Sequence, residues 1–275
     1  MILSVSNIAW SPDERLRAYA AMGDAGIEGL EIAPAMFFPQ SADPFRPDVD
    51  EARRATGEIS AAGLRLVSMQ SILFGVEGVG LFEEPDSRSR FFNGMERAIG
   101  LAGQFGIPNL VFGSPRQRRI PEGRSPEKAR AEAVQIFRLL GDRAVAAGTS
   151  ISIESNPSAY DTNFLNTLGE AEAFVIEIAH PGIRLILDLG AMAMNGEAAT
   201  TAARVPALVP LLNHVHVSEP HLAPAPASSQ DLAPVLKALA AAGYSLAVSI
   251  EMKRPKGGIE ELRQCLRKLR KAREL

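Results

Sequence analysis

The chain has a single cysteine, Cys265, and therefore no internal disulfide, which fits a reducing compartment. Cys265 lies in the helical run ELRQCLRKLRKAREL, where a packed, inert thiol is expected rather than a reactive one. No apolar stretch is long enough to span a bilayer. The opening MILSVSNIAW lacks a basic segment and runs straight into a strand pattern, so no signal peptide is expected and a cytoplasmic location is. Excess positive charge is missing too. A formal net charge of -3 gives no general attraction to nucleic acid or to an anionic membrane. The first strand candidate leads into SVSNIAWSP, which has no glycine-rich turn, and this speaks against a doubly wound dinucleotide-binding sheet.

What is present is a repeated unit. Hydrophobic residues make up 46% of 275 residues, enough for a large core. Short β-branched runs at residues 2–5, 29–32, 64–69, 109–112, 150–154, 184–188, 214–217 and 246–251 read as buried strands. Helical patterns lie between them at 11–25, 50–62, 87–104, 126–147, 168–178 and 229–242. Ser11-Pro12 and Ser125-Pro126 look like caps followed by proline in the first turn, and Ser229 like a cap alone. Glycines in AAGL, QFGI, AAGT and AAGY close helices and lead into the next strand. The segment AMAMNGEAATTAARVPALVP is interrupted by glycine and proline and is the weakest of the helical units. Eight strand–helix units without a break in composition predict an α/β fold, one (β/α)8 TIM barrel over residues 1–275. Loops after the strands, at 33–49, 71–86 and 113–125, are longer than those before them, which places the site at the C-terminal face.

Four polar residues end the last four strand candidates: Glu154 in ISIES, Asp188 in LILDLG, His216 in HVHVS and Glu251 in AVSIEM. Strand parity turns them to one side, with Ser152, Ile186, His214 and Ser249 a layer below and a serine beside His214 as its expected partner. Ile153, Leu187, Val215 and Ile250 then face the helices. Each polar residue alone reads as a helix cap, a loop residue or a satisfied core histidine. Together they read differently. Three buried carboxylates repel one another, and an unpaired one costs several kcal/mol or takes up a proton. A divalent cation removes that conflict. One nitrogen and several carboxylate oxygens suit Mn²⁺ first, and also Mg²⁺, Co²⁺ or Zn²⁺. An open coordination position would polarise the carbonyl of a small polyol and stabilise an enediolate. Glu154 and Glu251, on different strands, are then the expected acid and base on opposite faces of the reacting carbon.

These residues resemble the xylose-isomerase-like barrel superfamily of sugar isomerases and epimerases, over essentially the whole chain. Its members carry Glu, Asp, His and Glu at the ends of the fifth to eighth strands, as Glu154, Asp188, His216 and Glu251 stand here. In the ketose 3-epimerases both glutamates are metal ligands and the acid/base pair, so the resemblance implies that role for Glu154 and Glu251. SNIAW, GIEGLEIAP, FGSPRQR and HVHVSEP are similar to sugar isomerase-like members and imply a pocket of Asn7, Trp10, Glu31, Gln70, Ser114, Arg116, Arg118, Asn156 and Glu219. Three positions depart from the epimerase pattern. Ala191 stands where a substrate histidine follows the metal aspartate, Tyr160 replaces a second glutamate, and SEPHL lacks an arginine. The resemblance therefore implies the metal chemistry while leaving ketohexose specificity open.

Arg116, Arg118, Arg119, Lys253 and Arg254 are the anion-binding candidates, with Arg118 and Lys253 nearest the expected mouth. A solvated basic loop is the competing reading for Arg119. Glu219 is expected near the metal or a substrate hydroxyl, His221 is a weaker candidate, and His180 reads as surface. The superfamily's apurinic endonucleases gather several zinc ions with many histidines. Here only four histidines occur, and Gln70 and Ser114 stand where those enzymes use histidine, so no nucleic-acid partner is expected. The expectation is an isomerase or epimerase of a sugar, sugar phosphate or hydroxy acid. A lyase or dehydratase sharing the enediolate step, and a non-catalytic metal-binding barrel, are the alternatives. No membrane partner is expected, and related barrels suggest a homo-oligomer.

Overall fold

A computed structural model describes residues Met1–Leu275. Eight parallel strands close into a barrel in sequence order: β1 (Ile2–Ser6), β2 (Gly29–Ile32), β3 (Arg65–Met69), β4 (Asn109–Phe112), β5 (Ser150–Ile153), β6 (Ile183–Asp188), β7 (Leu212–Val217) and β8 (Ala247–Ile250). β1 pairs with β8 to complete the ring. This is a TIM barrel. The helices are α1 (Arg15–Asp24), α2 (Pro34–Phe37), α3 (Val49–Ala61), α4 (Pro85–Phe105), α5 (Pro126–Ala146), α6 (Leu168–Ile178), α7 (Leu189–Met194), α8 (Thr201–Leu208), α9 (Ser229–Ala241) and α10 (Gly258–Glu274). The interrupted sixth unit forms two short helices, α7 and α8, joined through a 3₁₀ turn at Ala198–Thr200. The turn α2 inside the long loop after β2 has no periodic signal in the sequence. No helix is long and apolar enough to cross a membrane.

Local chemistry explains the boundaries. Side chains of Asp48, Ser125, Thr167 and Ser228 accept from backbone N–H groups in the first turns of α3, α5, α6 and α9. The cap of α9 is Ser228, one residue before the serine the sequence suggests. Gly106 closes α4 in the left-handed region.

The two sides of each strand do different work. Ile153, Leu187, Val215 and Ile250 belong to the continuous apolar layer between barrel and helices. Ser152, Ile186, His214 and Ser249 are fully buried but stand outside that layer, inside the barrel. Glu154 and Glu251 lie one residue beyond β5 and β8, at the same end of the barrel as Asp188 and His216. Two register shifts interrupt the ladder. Between β2 and β3 Leu30 pairs with Leu66 but Glu31 with Ser68, and between β6 and β7 Leu185 pairs with Leu212 but Ile186 with His214. Each shift leaves one residue unpaired, Val67 and Asn213, and re-aims the side chains beside it.

Candidate metal centre and active-site cleft

At the C-terminal mouth, Glu154, Asp188, His216 and Glu251 each bring one ligand atom to within 4.8 Å of all the others. His216 is at the bottom, with no exposed surface. Its Nδ1 lies 3.0 Å from Glu154 Oε1, 3.3 Å from Glu251 Oε2 and 3.5 Å from Asp188 Oδ2. Burial alone would keep this imidazole neutral, but Glu251, Glu31, Asp188 and Glu154 around it outweigh that and hold it protonated well above the usual histidine range. Glu251 is shifted upward as well. Burial pushes it well above the ordinary range; His216 opposes this, while Glu154, Asp188 and Glu31 reinforce it. The proton on Nδ1 thus occupies the direction in which three carboxylates converge, and no lysine or arginine shares the cluster. Such a donor set fits a divalent cation: three oxygens and one imidazole nitrogen, mutually repulsive without a positive charge between them.

The ligands are held by their surroundings. Asp188 caps α7 by accepting from the Ala191 N–H, and it also accepts from the Ser218 hydroxyl at 3.0 Å, leaving Oδ2 toward His216. Gly190 donates to that hydroxyl at 2.8 Å, and a Cβ there would come within 2.9 Å of it. Asn156 Nδ2 donates to Glu154 Oε2 at 3.0 Å. Gly113 leaves room for the same oxygen, since a Cβ at that position would stand 2.4 Å from it.

Two lobes open on either side of the Glu154–Glu251 pair. One, about 730 Å³ including space open to solvent, is lined by Asn156, Tyr160, Asp188, Glu219, His221 and Lys253 among others. The second carries Gln70, Ser71, Phe74, Ser114 and Gln117, and Phe74 is 59% exposed. Both share Glu154 and Glu251 as walls. Asn156 Oδ1 is buried without a partner in the protein.

The sequence-based candidates divide accordingly. Gln70, Ser114, Asn156, Glu219 and Lys253 line the cleft. Three do not. Glu31 has no exposed surface and lies beneath His216, so it cannot touch a substrate directly. Asn7 is buried and clamps the Ala33 backbone, accepting from its N–H at 2.7 Å and donating to its carbonyl at 3.3 Å. Arg118, expected at the mouth, is also fully buried: it donates to the carbonyls of Glu154 at 2.7 Å and Leu165 at 3.2 Å. Burial draws Arg118 down to about 10, which Glu154 and Glu170 resist. It is a brace behind the site rather than an anion receptor. Trp10 packs edge-on against Tyr19 in the core. Arg116 is exposed outside the cleft lining, Arg119 pairs with Asp161 at 2.6 Å, and Arg254 pairs with Glu14 at 2.6 Å. Lys253 is left as the one cation lining the cleft. His214 is partnered by Glu31, 2.7 Å away, and not by a serine. His180 accepts from the Gly182 N–H and faces Asp142 on the surface.

His221, the weaker candidate, and Tyr160, at the place of the epimerases' second glutamate, also line the cleft, as does Phe74, which no sequence pattern marks. His221, in the left-handed region, meets Tyr160 edge-on with ring centres 6.4 Å apart.

Residues 19–269 match the model of the xylose isomerase-like TIM barrel family, and the chain belongs to that family. Crystal structures share its architecture. A 3-keto-D-glucoside 4-epimerase from E. coli is 20% identical, with a TM-score of 0.78 over 98% of this chain and 99% of that one. A D-allulose 3-epimerase from Methylomonas sp., solved with D-allulose, is 25% identical with a TM-score of 0.70, covering 92% of this chain and 84% of that one. A D-psicose 3-epimerase from Clostridium cellulolyticum H10, solved with D-tagatose, is 17% identical with a TM-score of 0.74, covering 100% and 96%. No curated protein matches the chain.

Proposed function

We propose that this protein is a divalent-metal-dependent epimerase or isomerase of a small neutral carbohydrate, with Glu154 and Glu251 as its acid/base pair. The observation that carries this reading is the placement of the two glutamates. They converge on His216 Nδ1 and together form the wall between two lobes of one cleft. Glu154, Asp188, His216 and Glu251 would hold the ion, with Mn²⁺ favoured by the oxygen-rich donor set. Bound there, a divalent cation supplies Lewis acidity that polarises a substrate carbonyl and acidifies the neighbouring C–H.

The chain's own residues do the rest. A substrate carbon between the lobes is flanked by both carboxyl groups. One takes the proton as electrons move toward the carbonyl oxygen, and the other delivers a proton to the opposite face. Asn156 steadies Glu154 through its amide nitrogen, while its unpartnered Oδ1 is placed to accept from a substrate hydroxyl. Gln70, Ser114, Glu219, Tyr160 and His221 offer further polar contacts. A phosphate dianion is poorly served, because Lys253 is the one cation facing a cleft that already holds Glu154, Asp188, Glu219 and Glu251. Similarity to the D-allulose and D-psicose epimerases supports the reaction class. The departures at Ala191 and Tyr160, both in the cleft lining, support a different hydroxyl pattern in the substrate.

The test is NMR of Mn²⁺-loaded, then chelated, protein incubated in D₂O with ketoses, aldoses, ketoglycosides and their phosphates. Deuterium at a single carbon, with conversion to an epimer or isomer, is the expected result. A dehydrated product would move the assignment to a lyase. Silence across the panel, with Mn²⁺ bound, would overturn it.

A further inference from the structure

Beneath the four converging side chains lies a buried carboxylate that takes no part in the proton transfer. Glu31 sits on β2 between Leu30 and Ile32, which belong to the apolar layer beneath the helices, so strand alternation turns it into the barrel. Its Oε2 accepts from His216 Nε2 at 3.1 Å and lies 2.7 Å from His214 Nε2, while its Oε1 accepts from Gln70 Nε2 at 2.7 Å. Gln70 Nε2 also reaches Ser6 Oγ at 2.7 Å, so the carboxylate is fixed from two sides. An apolar filler would pack this layer at lower cost, as Ile186 does opposite. A charged acceptor does something filler cannot. It holds the hydrogen on Nε2 of His216 and fixes the plane of the ring, so that Nδ1 is the nitrogen that faces Glu154, Asp188 and Glu251 and the one whose proton a cation among them would displace.

We infer that Glu31 is the positioning residue of the metal centre: it sets the tautomer and orientation of His216 so that Nδ1 is the ligating atom. The inference rests on the proposal that the site holds a metal. Glu31 acts only through His216, since it has no surface in the cleft.

Glu31→Gln keeps the shape and removes the charge. Glu31→Asp keeps the charge and withdraws the oxygens by about 1.5 Å, one C–C bond. Mn²⁺ binding is measured by calorimetry on wild type and both variants, alongside thermal melts of the metal-free proteins. Nitrogen-15 spectra of the Zn²⁺-loaded proteins then read the histidine tautomer. The expected result is a roughly 10–100-fold weaker Mn²⁺ affinity in a folded variant. In wild type the His216 proton is expected on Nε2, with the variants losing that single state. A folded variant binding Mn²⁺ as wild type does overturns the assignment, as does wild-type ligation through Nε2. If neither variant folds, Glu31 holds the barrel and not the ligand, and the assignment is again overturned. Wild type that binds no divalent ion brings down the metal reading itself, a result distinct from the others.

Discussion

Gly113→Ala asks whether the position of Glu154 is as demanding as its chemistry. The added methyl would lie 2.4 Å from Glu154 Oε2, whereas ordinary contact begins near 3.4 Å. The carboxylate must therefore retreat by about 1 Å, the difference between those distances. Asn156 Oδ1, 3.4 Å from the same methyl, limits its retreat on that side. Gly113 does not occupy the left-handed region, so alanine brings no backbone strain, and the atom that must move is the end of a side chain. Stability should change by no more than about 0.5–1 kcal/mol, within the range of mild substitutions. Turnover should not be spared. A displacement of about 1 Å at a reacting group costs on the order of 10²-fold. The assay pairs a urea melt with the rate of deuterium exchange into a sugar that the wild-type protein labels. A folded variant exchanging within threefold of wild type would refute the reasoning that Glu154 works at the position in which it is seen.

Other consequences follow from the same geometry. Glu154→Gln and Glu251→Gln should each abolish exchange while leaving circular dichroism unchanged; near-full activity in either removes that residue from the acid/base pair. Arg118→Leu should cost about 3 kcal/mol in urea unfolding, because the buried carbonyls of Glu154 and Leu165 lose its donors. A raised KM with undiminished stability would return Arg118 to the mouth. Metal binding should release protons. His216 and Glu251 hold theirs above their ordinary ranges in the metal-free protein, so the ion must displace them and affinity should rise with pH. Calorimetry in two buffers of different ionisation enthalpy reads this, and identical heats would contradict it. Free sugars should be turned over in preference to their phosphates, and Lys253→Gln should leave KM for a neutral sugar within about threefold. A phosphosugar preference abolished by that substitution would show the cleft to be an anion site.

The features that repeat along the chain are legible in it. Strand and helix alternate by local periodicity, and a side chain's face on a strand depends only on counting by two. For that reason the ends of four successive runs place Glu154, Asp188, His216 and Glu251 at one end of neighbouring strands, parity turns them to one side, and the folded barrel brings them together. The glycine turns and the serine and aspartate caps act over three or four residues and are readable for the same reason, to within a residue at Ser228. The fold likewise follows from eight short apolar runs and the loops that lengthen after them.

Depth is not legible. How far a residue stands below the mouth depends on barrel closure, strand stagger and the register shifts at Leu30/Glu31 and Leu185/Ile186, none of which is encoded locally. Glu31 and Arg118 read as polar residues near strand ends, and local pattern therefore points both of them at a substrate. Closure instead puts Glu31 under His216, and Arg118 behind the backbone of Glu154. The two lobes, and the place of Tyr160, His221 and Phe74 in them, likewise arise from loops remote in sequence that meet only when the ring closes. The sequence by itself determined which residues share an end and a face of the barrel, because the end of an apolar run and strand parity are both local. Only the tertiary structure decided which of them face a substrate and which support those that do, because burial is a property of the closed barrel.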